Sequence, residues 1–289
     1  MKWIDEYRAS LKMIEVEELL DLIFYRPLAY IFIKLIYRTE ITPNQISLLA
    51  LIVGVIGGAL FTLDTITASI LAAVLLIIYD VLDCSDGMLA RLKKNGTVIG
   101  RIIDGISDYI VTIVAYIGIG IGLTIHTGDA LTSWLLTAAA GISNAIHSIS
   151  LDYYRNVFMD SVLGRENTLG ESLERFEIEY KNLRQAKKNN LETLLLWFYL
   201  KYSAVQIKFA PATQVSFDSK DYYKKNKTIL HLWTYLGPTT ELTFMIICAF
   251  FNRMDIYLWG IIIVGNLYAL ILYVIQTRIN HGLKITEAH

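Results

Sequence analysis

The chain has 289 residues, of which 54% are hydrophobic, with a mean hydropathy of +0.45 and a formal net charge of −1. This composition is more apolar than that of a typical soluble protein and indicates a membrane protein, whose length suits one domain. The balanced charge gives no support to nucleic-acid binding, and two cysteines, Cys84 and Cys248, give no disulfide framework. We interpret both cysteines as small structural residues.

The first 40 residues are rich in charge and lack a compact apolar core, so we expect no cleavable signal peptide. Residues 16–37 predict an amphipathic helix at the membrane interface, with Pro27 breaking it near Arg26. Its cationic side chains, which we expect to reach lipid phosphates, are Arg26, Lys34 and Arg38. Its apolar side is formed by Leu19, Leu20, Ile23, Leu28, Phe32 and Leu35. A helix packed on a soluble partner is the alternative.

Apolar runs near the spanning length of about 20 residues predict six transmembrane helices. They cover residues 46–63, 66–82, 102–125, 131–151, 230–251 and 256–275. The fold class is therefore an all-α polytopic membrane protein with an interfacial helix before the first span. The turns at 64–65, 126–130 and 252–255 contain Arg253 as their only lysine or arginine. The positive-inside rule thus predicts a protein of the cell membrane, with both termini and the aspartates described below on the cytoplasmic side.

Residues 152–228 differ in composition from the rest and predict a cytoplasmic insert. Within it, 171–188 predict a charged helix, whereas the apolar run 194–204 is too short to span a membrane easily. The expected division is an N-terminal segment (1–45), four spans (46–151), the insert, and two further spans with the C-terminus (229–289).

Four aspartates lie close together along the chain: Asp83, Asp86, Asp104 and Asp108. Carboxylates at the edge of a hydrocarbon layer are costly unless they are hydrated, paired or bound to a metal. Spacings of three and four residues place each pair on one helix face. Two such faces in contact would form an all-oxygen cluster suited to Mg²⁺ or Mn²⁺ rather than zinc, and therefore to phosphate chemistry.

Small and basic residues accompany these aspartates. Gly87 and Gly100 would admit a ligand close to the helix backbone, and Arg91 would bind a phosphate. Each feature alone has a simpler explanation: a solvated helix end, helix-packing glycines, or a membrane anchor formed by Arg91 with Lys93 and Lys94. These explanations do not account for the whole pattern.

Residues 83–108 resemble the signature of the CDP-alcohol phosphotransferase (CDP-alcohol phosphatidyltransferase) family, and they read DCSDGMLARLKKNGTVIGRIIDGISD. Every fixed position of that signature is filled. The resemblance extends to residues 38–47, RTEITPNQIS, which are similar to the approach to the first membrane helix in these enzymes. It weakens after about Ser150.

The resemblance implies a transferase of substituted phosphate groups with two divalent cations, Mg²⁺ or Mn²⁺, held by the four aspartates. It makes Asp104 a bridging ligand and Asp108 the general base. Residues that would bind the nucleotide are Asp83, Gly87, Ala90, Arg91 and Gly100. Asp80, one turn before Asp83, is either an outer partner of these ligands or a polar residue at a helix end.

One branch of the family uses CDP-diacylglycerol and a polar alcohol, and another uses CDP-choline or CDP-ethanolamine and a lipid alcohol. Six spans and an N-terminal amphipathic helix favour the first branch. For a phosphorylated acceptor, such as inositol phosphate or glycerol phosphate, candidate ligands are Arg155, Arg278 and His147. For these three, topological anchoring or helix packing is the simpler explanation. A homodimer is expected by analogy alone.

Two other functions fit a polytopic chain with intramembrane carboxylates. A six-span transporter would not need Gly87, Ala90 and Arg91 at fixed distances from the aspartates. A non-catalytic scaffold would be expected to lack a ligand, whereas all four aspartates are present.

Overall fold

A computed structural model describes residues 2–11, 13–95, 98–163, 168–185 and 218–283, and the single positions 193, 196, 197 and 200. Side chains are not described at 2–4, 98–99, 101–104, 168–175 and 179. All regular elements of the described part are helical, which confirms the all-α class. The helices are α1 (Lys2–Ser10), α2 (Arg26–Ile36), α3 (Pro43–Leu60), α4 (Ile66–Lys93), α5 (Val98–Thr127), α6 (Ala130–Leu163), α7 (Thr168–Gln185), α8 (Ser219–Trp233), α9 (Pro238–Phe250), α10 (Met254–Trp259) and α11 (Asn266–His281).

Helix α3 begins where the sequence provides a reciprocal cap. The Gln45 N–H donates to Thr42 Oγ1 at 3.4 Å, and the Thr42 N–H donates to Gln45 Oε1 at 2.9 Å. Pro43 occupies the first helical position, where no N–H is needed. Thr65 caps α4 in turn, by accepting from the Ala68 N–H at 3.2 Å. The Thr65 cap and the left-handed conformation of Asp64 before it separate α3 from α4 at the predicted turn 64–65.

Four helical segments of the described chain are long and apolar enough to cross a membrane. They are Pro43–Leu63, Ile66–Lys93, Gly105–Thr127 and Met254–His281. They correspond to the first, second, third and sixth predicted spans, so the count of six is not confirmed. The last segment consists of α10, a π-helical turn (Gly260–Gly265) and α11.

The predicted span 230–251 is wrong as a single helix. Helix α8 ends at Trp233, a 3₁₀ turn follows at Thr234–Leu236, and α9 starts at Pro238 after an extended Gly237. A proline cannot donate a hydrogen bond to a preceding helical turn, and it disfavours a helical conformation of the residue before it. The apolar run therefore bends, and α9 has 13 residues.

The three predicted short turns lie at the same end of the helix bundle. Asp64, His126 and Arg253, one from each turn, line a common cavity. The pairing of helices across these turns is therefore confirmed. The side of the membrane on which they lie stays a prediction.

Helices α3 and α5 pack at very short range through small residues. A Cβ atom on Gly58 would lie 2.8 Å from the Ala115 backbone nitrogen, and one on Gly118 would overlap the Gly58 carbonyl oxygen. Such close approach is typical of membrane helix pairs with small residues at the interface. It holds α5, which carries Asp104 and Asp108, firmly against α3.

The N-terminal segment is helical, but it is not broken at Pro27. A π-helical turn, Asp21–Tyr25, leads directly into α2, with the Arg26 N–H donating to the Asp21 carbonyl. This wider turn tolerates the absence of a backbone N–H at Pro27. An apolar stripe of α2 and this turn is exposed at Ile23, Phe24, Leu28, Ile31 and Leu35. Its contact with the membrane interface stays a prediction.

Two of the three cations predicted to bind lipid phosphates have carboxylate partners instead. Arg26 is buried, and its Nη2 lies 2.6 Å from Glu17 Oε2. This corrects the prediction for Arg26, because its desolvated charge is neutralised within the protein. Lys34 pairs with Glu6, and Arg38 is exposed.

Within the insert, the predicted charged helix is present as α7. Helix α6 continues to Leu163, and α8 crosses the predicted boundary at 228/229. The run 194–204 lies outside the described residues except at positions 196, 197 and 200.

Candidate active site

The signature residues come from two neighbouring helices. Asp83, Asp86, Gly87, Ala90 and Arg91 lie on the last three turns of α4. Gly100, Asp104 and Asp108 follow at the start of α5. Because α3 packs against both helices, side chains of three helices can meet at this level.

The Asp86 side chain forms a hydrogen bond with a residue of α3. The hydroxyl of Ser47 lies within hydrogen-bonding distance of Asp86 Oδ2 and 3.2 Å from the Pro43 carbonyl oxygen. The carboxylate is the stronger acceptor, since it carries the charge. Both side chains are buried. Ser47 therefore fixes the orientation of one predicted metal ligand, at the end of the segment whose resemblance the sequence already indicated.

The Asp108 side chain forms a hydrogen bond with a residue of α4. The Tyr79 hydroxyl donates to Asp108 Oδ1 at 2.6 Å, and the Tyr79 side chain is buried. Tyr79 was missed by sequence reasoning, although it precedes Asp83 by one helical turn and therefore lies on the same side of α4. This bond connects the helix that carries Asp83 and Asp86 to the predicted general base.

The guanidinium of Arg91 lies over Gly87. A Cβ atom on Gly87 would be 3.4 Å from Nη1 and 3.7 Å from Nη2 of Arg91, and Arg91 Nε donates to the Ser10 carbonyl at 2.5 Å. A Cβ at this position would make only ordinary van der Waals contact with Arg91, so the guanidinium itself does not require a glycine. Helix α1 holds the base of the guanidinium, so that its outer nitrogens extend along α4.

The fit of divalent cations rests on the donor chemistry of the aspartates. Carboxylate oxygens alone are the ligands that Mg²⁺ and Mn²⁺ prefer. The side chain of Asp104 lies outside the described residues. Among the described side chains, Asp83, Asp86 and Asp108 are not within 4.8 Å of one another as a group. Convergence of all four aspartates stays a prediction.

Comparison with known families supports the resemblance. The family model of CDP-alcohol phosphatidyltransferase matches residues 40–170. These residues are therefore similar to a CDP-alcohol phosphatidyltransferase domain, and we refer to residues 40–170 as the phosphatidyltransferase domain. No curated protein sequence matches the chain.

The phosphatidyltransferase domain contains α3 to α6, with all four aspartates, Ser47 and Tyr79. Together with the four apolar helices of the described residues, this similarity supports an integral membrane protein and a transferase of phospholipid biosynthesis. It implies transfer of a phosphatidyl group from a CDP-alcohol to an alcohol at the membrane.

A second buried polar group lies where the phosphatidyltransferase domain meets the flanking segments. Asp80 of α4 lies near Asp21 and Cys84, with one ligand atom of each within 4.8 Å of the others. Asp21 Oδ1 also accepts from Thr239 Oγ1 of α9 at 3.2 Å. Burial raises the pKa of the Asp21 carboxyl above its ordinary value. Sequence reasoning noted Asp80 but had no means of placing Asp21 or Thr239 beside it.

Glu18 lies in the same region. Its Oε2 accepts from the Thr240 N–H and the Thr240 hydroxyl, each at 2.9 Å. Burial raises the pKa of Glu18 to about 7, although the neighbouring Arg155 cation favours the charged form.

The three candidate acceptor ligands occupy different environments. His147 is completely buried, with Nδ1 2.6 Å from Glu241 Oε1 and Nε2 3.1 Å from Asn266 Oδ1. Arg155 lies 3.5 Å from Glu18 Oε1 and 3.8 Å from Asp152 Oδ1. Arg278 is exposed near the end of α11. The structure thus gives His147 and Arg155 intramolecular partners, and it does not bring the three together by any described contact.

Proposed function

We propose that this protein transfers a phosphatidyl-type group from a CDP-alcohol, preferably CDP-diacylglycerol, to a polar hydroxyl acceptor and releases CMP. The observation that carries the proposal is the complete signature inside the phosphatidyltransferase domain, with Asp86 and Asp108 each held by a neighbouring helix.

In this proposal Asp83, Asp86, Asp104 and Asp108 would hold two divalent cations, Mg²⁺ or Mn²⁺. When bound, such cations polarise a phosphoryl group and stabilise the charge on the leaving oxygen. The Ser47 bond supports this role, because an oriented carboxylate loses less entropy when it binds a cation. The carboxylates otherwise repel one another, so the site is expected to bind nucleotide only with metal.

Asp108 is the proposed general base. The acceptor hydroxyl oxygen forms a bond to the β-phosphorus, the bond from that phosphorus to the CMP oxygen breaks, and the hydroxyl proton moves to the Asp108 carboxylate. The Tyr79 hydroxyl donates to Oδ1 of Asp108 and holds the Asp108 carboxylate in one orientation on α5. Tyr79 therefore acts as a positioning residue.

The nucleotide is proposed to lie along α4, where Gly87 and Ala90 offer little side-chain bulk. Arg91 supports this placement, because its outer nitrogens extend over Gly87 while Nε is held by the Ser10 carbonyl. A fixed guanidinium can donate two parallel hydrogen bonds to a phosphate. Asp83 and Gly100 complete the proposed nucleotide site.

The CDP-diacylglycerol branch is preferred because of the N-terminal helical segment, whose exposed apolar stripe on α2 suits the membrane interface. Of the candidate acceptor ligands, Arg278 has the most accessible side chain, whereas Arg155 and His147 would have to exchange their present partners. The active site and both termini are proposed to be cytoplasmic, and the chain to form a homodimer.

The test is CMP release by the purified protein in detergent with Mg²⁺ or Mn²⁺. One arm supplies CDP-diacylglycerol with polar alcohols and their phosphates, and the other supplies CDP-choline or CDP-ethanolamine with lipid alcohols. Acceptor-dependent CMP in the first arm supports the proposal, and CMP only in the second would move the protein to the other branch. Absence of both CMP release and metal-dependent CDP binding would contradict transferase activity and favour a transporter or scaffold.

A further inference from the structure

The group formed by Asp21, Asp80 and Cys84 is distinct from the signature aspartates. Asp21 begins the π-helical turn before α2, whereas Asp80 and Cys84 lie one turn apart on α4. All three side chains are buried, and one ligand atom of each lies within 4.8 Å of the other two. π-Helical turns often occur at functional sites, because they change the direction of one side chain.

The charges around this group do not balance. Glu17 pairs with Arg26 at 2.6 Å, and Glu18 pairs with Arg155 at 3.5 Å. Within the described residues, Asp21 and Asp80 have no cationic side chain within 4.0 Å. Arg26 attracts Asp21 from a greater distance, but it is already paired with Glu17. Two buried carboxylates without a cation of their own are costly, and a divalent cation would neutralise both.

One atom of the group lacks a partner. Asp80 is 5% exposed, and its Oδ2 is fully buried without a hydrogen-bond partner in the described part of the chain. Buried carboxylate oxygens are normally satisfied, so this oxygen points to a ligand.

The distances fit a tetrahedral ion with sulfur and oxygen ligands. Cys84 Sγ lies 3.5 Å from Asp21 Oδ1. A tetrahedral Zn²⁺ with a sulfur at about 2.3 Å and an oxygen at about 2.0 Å separates these two ligands by about 3.5 Å. The thiol selects against Mg²⁺, which prefers oxygen alone.

We propose that Asp21, Asp80 and Cys84 bind one Zn²⁺-type cation, separate from the catalytic cations, which connects the N-terminal helical segment to α4. The Cys84 thiol proton is released to solvent when the sulfur binds the ion. A water or the Thr239 hydroxyl, which is 3.2 Å from Asp21 Oδ1, completes the coordination. The ion would fix α2 and its π-helical turn at the level of the active site.

The test uses the full-length protein in detergent, stripped with a chelator and then titrated with Co²⁺ in the presence of excess Mg²⁺, which occupies oxygen-only sites. Wild type is expected to show the near-ultraviolet thiolate-to-Co²⁺ absorption at one equivalent. Cys84→Ser should lose this band, and Asp80→Asn should weaken Co²⁺ binding by about tenfold or more. The matched control is Cys248→Ser, since Cys248 is also buried and free.

Each variant is compared only if it elutes as a single species with unchanged helical circular dichroism, and Asp80→Asn serves where Cys84→Ser does not fold. The band should persist in Asp83→Asn, because that change affects the proposed catalytic ligands alone. A folded wild type without the band would show that a proton or water occupies the site and would overturn the proposal. So would a band that survives Cys84→Ser or disappears in Asp83→Asn. None of these results depends on CMP release.

Discussion

Helix α4 carries two sets of polar side chains that differ in how the fold assembles them. On one side, Asp86 bonds to Ser47 and Tyr79 bonds to Asp108, all within the phosphatidyltransferase domain. On another side, Asp80 and Cys84 lie near Asp21, which precedes the domain and itself contacts Thr239, which follows it. The first set is local to three consecutive helices, whereas the second depends on the flanking segments. The chemistry of the domain and its attachment to the rest of the chain can therefore be perturbed separately.

The largest effect is expected for Asp108→Asn. The amide cannot accept the hydroxyl proton as a carboxylate does, so the rate should fall about 10²–10⁴-fold, while much of the nucleotide affinity remains. Single-turnover CMP release and metal-dependent CDP binding measure the two quantities. Asp129→Asn is the matched control, because asparagine retains the bond from the Thr132 N–H at the start of α6. Near-normal turnover of Asp108→Asn would disprove the general-base role.

His147→Leu tests the buried contacts between α6, α9 and α11. Removing the imidazole takes away the hydrogen-bond partner that lies 2.6 Å from Glu241 Oε1, and Glu241 keeps its bond from Asn144. A buried polar group that loses such a partner costs about 1–3 kcal/mol. The midpoint of thermal unfolding in detergent should fall sharply. His126→Leu, at an exposed position, is expected to change stability by about 0.5 kcal/mol or less. Unchanged stability with a raised acceptor KM would instead assign His147 to acceptor binding.

Gly118→Ala tests how α5 is held against α3. The added methyl group would overlap the Gly58 carbonyl oxygen, which is backbone and cannot rotate away, so about 1–3 kcal/mol of stability should be lost. Gly105→Ala on the same helix is the control, because its Cβ would meet nothing within 4 Å. The control should be neutral or slightly stabilising, since alanine favours helix more than glycine. Equal effects on thermal unfolding would show that close packing does not fix this helix pair.

The features that could be predicted from the sequence depend on interactions between residues that are close together along the chain. Helix ends set by caps, such as Thr42 with Gln45, depend on residues three apart and were placed within a few residues. The signature residues were found because their spacing is short. The break at Gly237 and Pro238 was visible in the sequence, but the apolar character of the surrounding run obscured it.

The remaining contacts join residues that no short pattern relates. Glu17 neutralises Arg26 across nine positions, outside the helical spacing that reveals ion pairs, so Arg26 was wrongly predicted to bind lipid phosphates. His147 and Glu241 are 94 positions apart. Asp21 and Thr239 are 218 apart. Only the packed fold brings such residues together.

Tyr79→Phe should have a moderate effect. It removes one hydrogen bond to a carboxylate, worth about 1.5–3 kcal/mol, from the residue proposed to accept the proton. We expect kcat to fall about tenfold while KM for the CDP-alcohol changes little, because Tyr79 positions Asp108 and does not contact the nucleotide. Tyr109→Phe, at an exposed site on α5, is the control. A rise in KM with unchanged kcat would place Tyr79 in substrate binding instead.

The last prediction concerns pH and separates the flanking segments from the catalytic domain. Burial raises the pKa of Glu18 to about 7 in the folded protein from an ordinary value of 4.5, despite the attraction of Arg155. Between these values the folded state binds a proton that the unfolded state has lost, so this residue's contribution to stability decreases as pH rises and is constant above about pH 7. The charged form faces Arg155 and, with repulsion, Asp21. Glu18→Gln removes the titrating group, so the stability of wild type relative to this variant should fall between about pH 4.5 and 7. Thermal unfolding of both proteins across this range measures the difference. A constant difference would show that Glu18 is charged in the folded state throughout, and that Arg155 outweighs its burial.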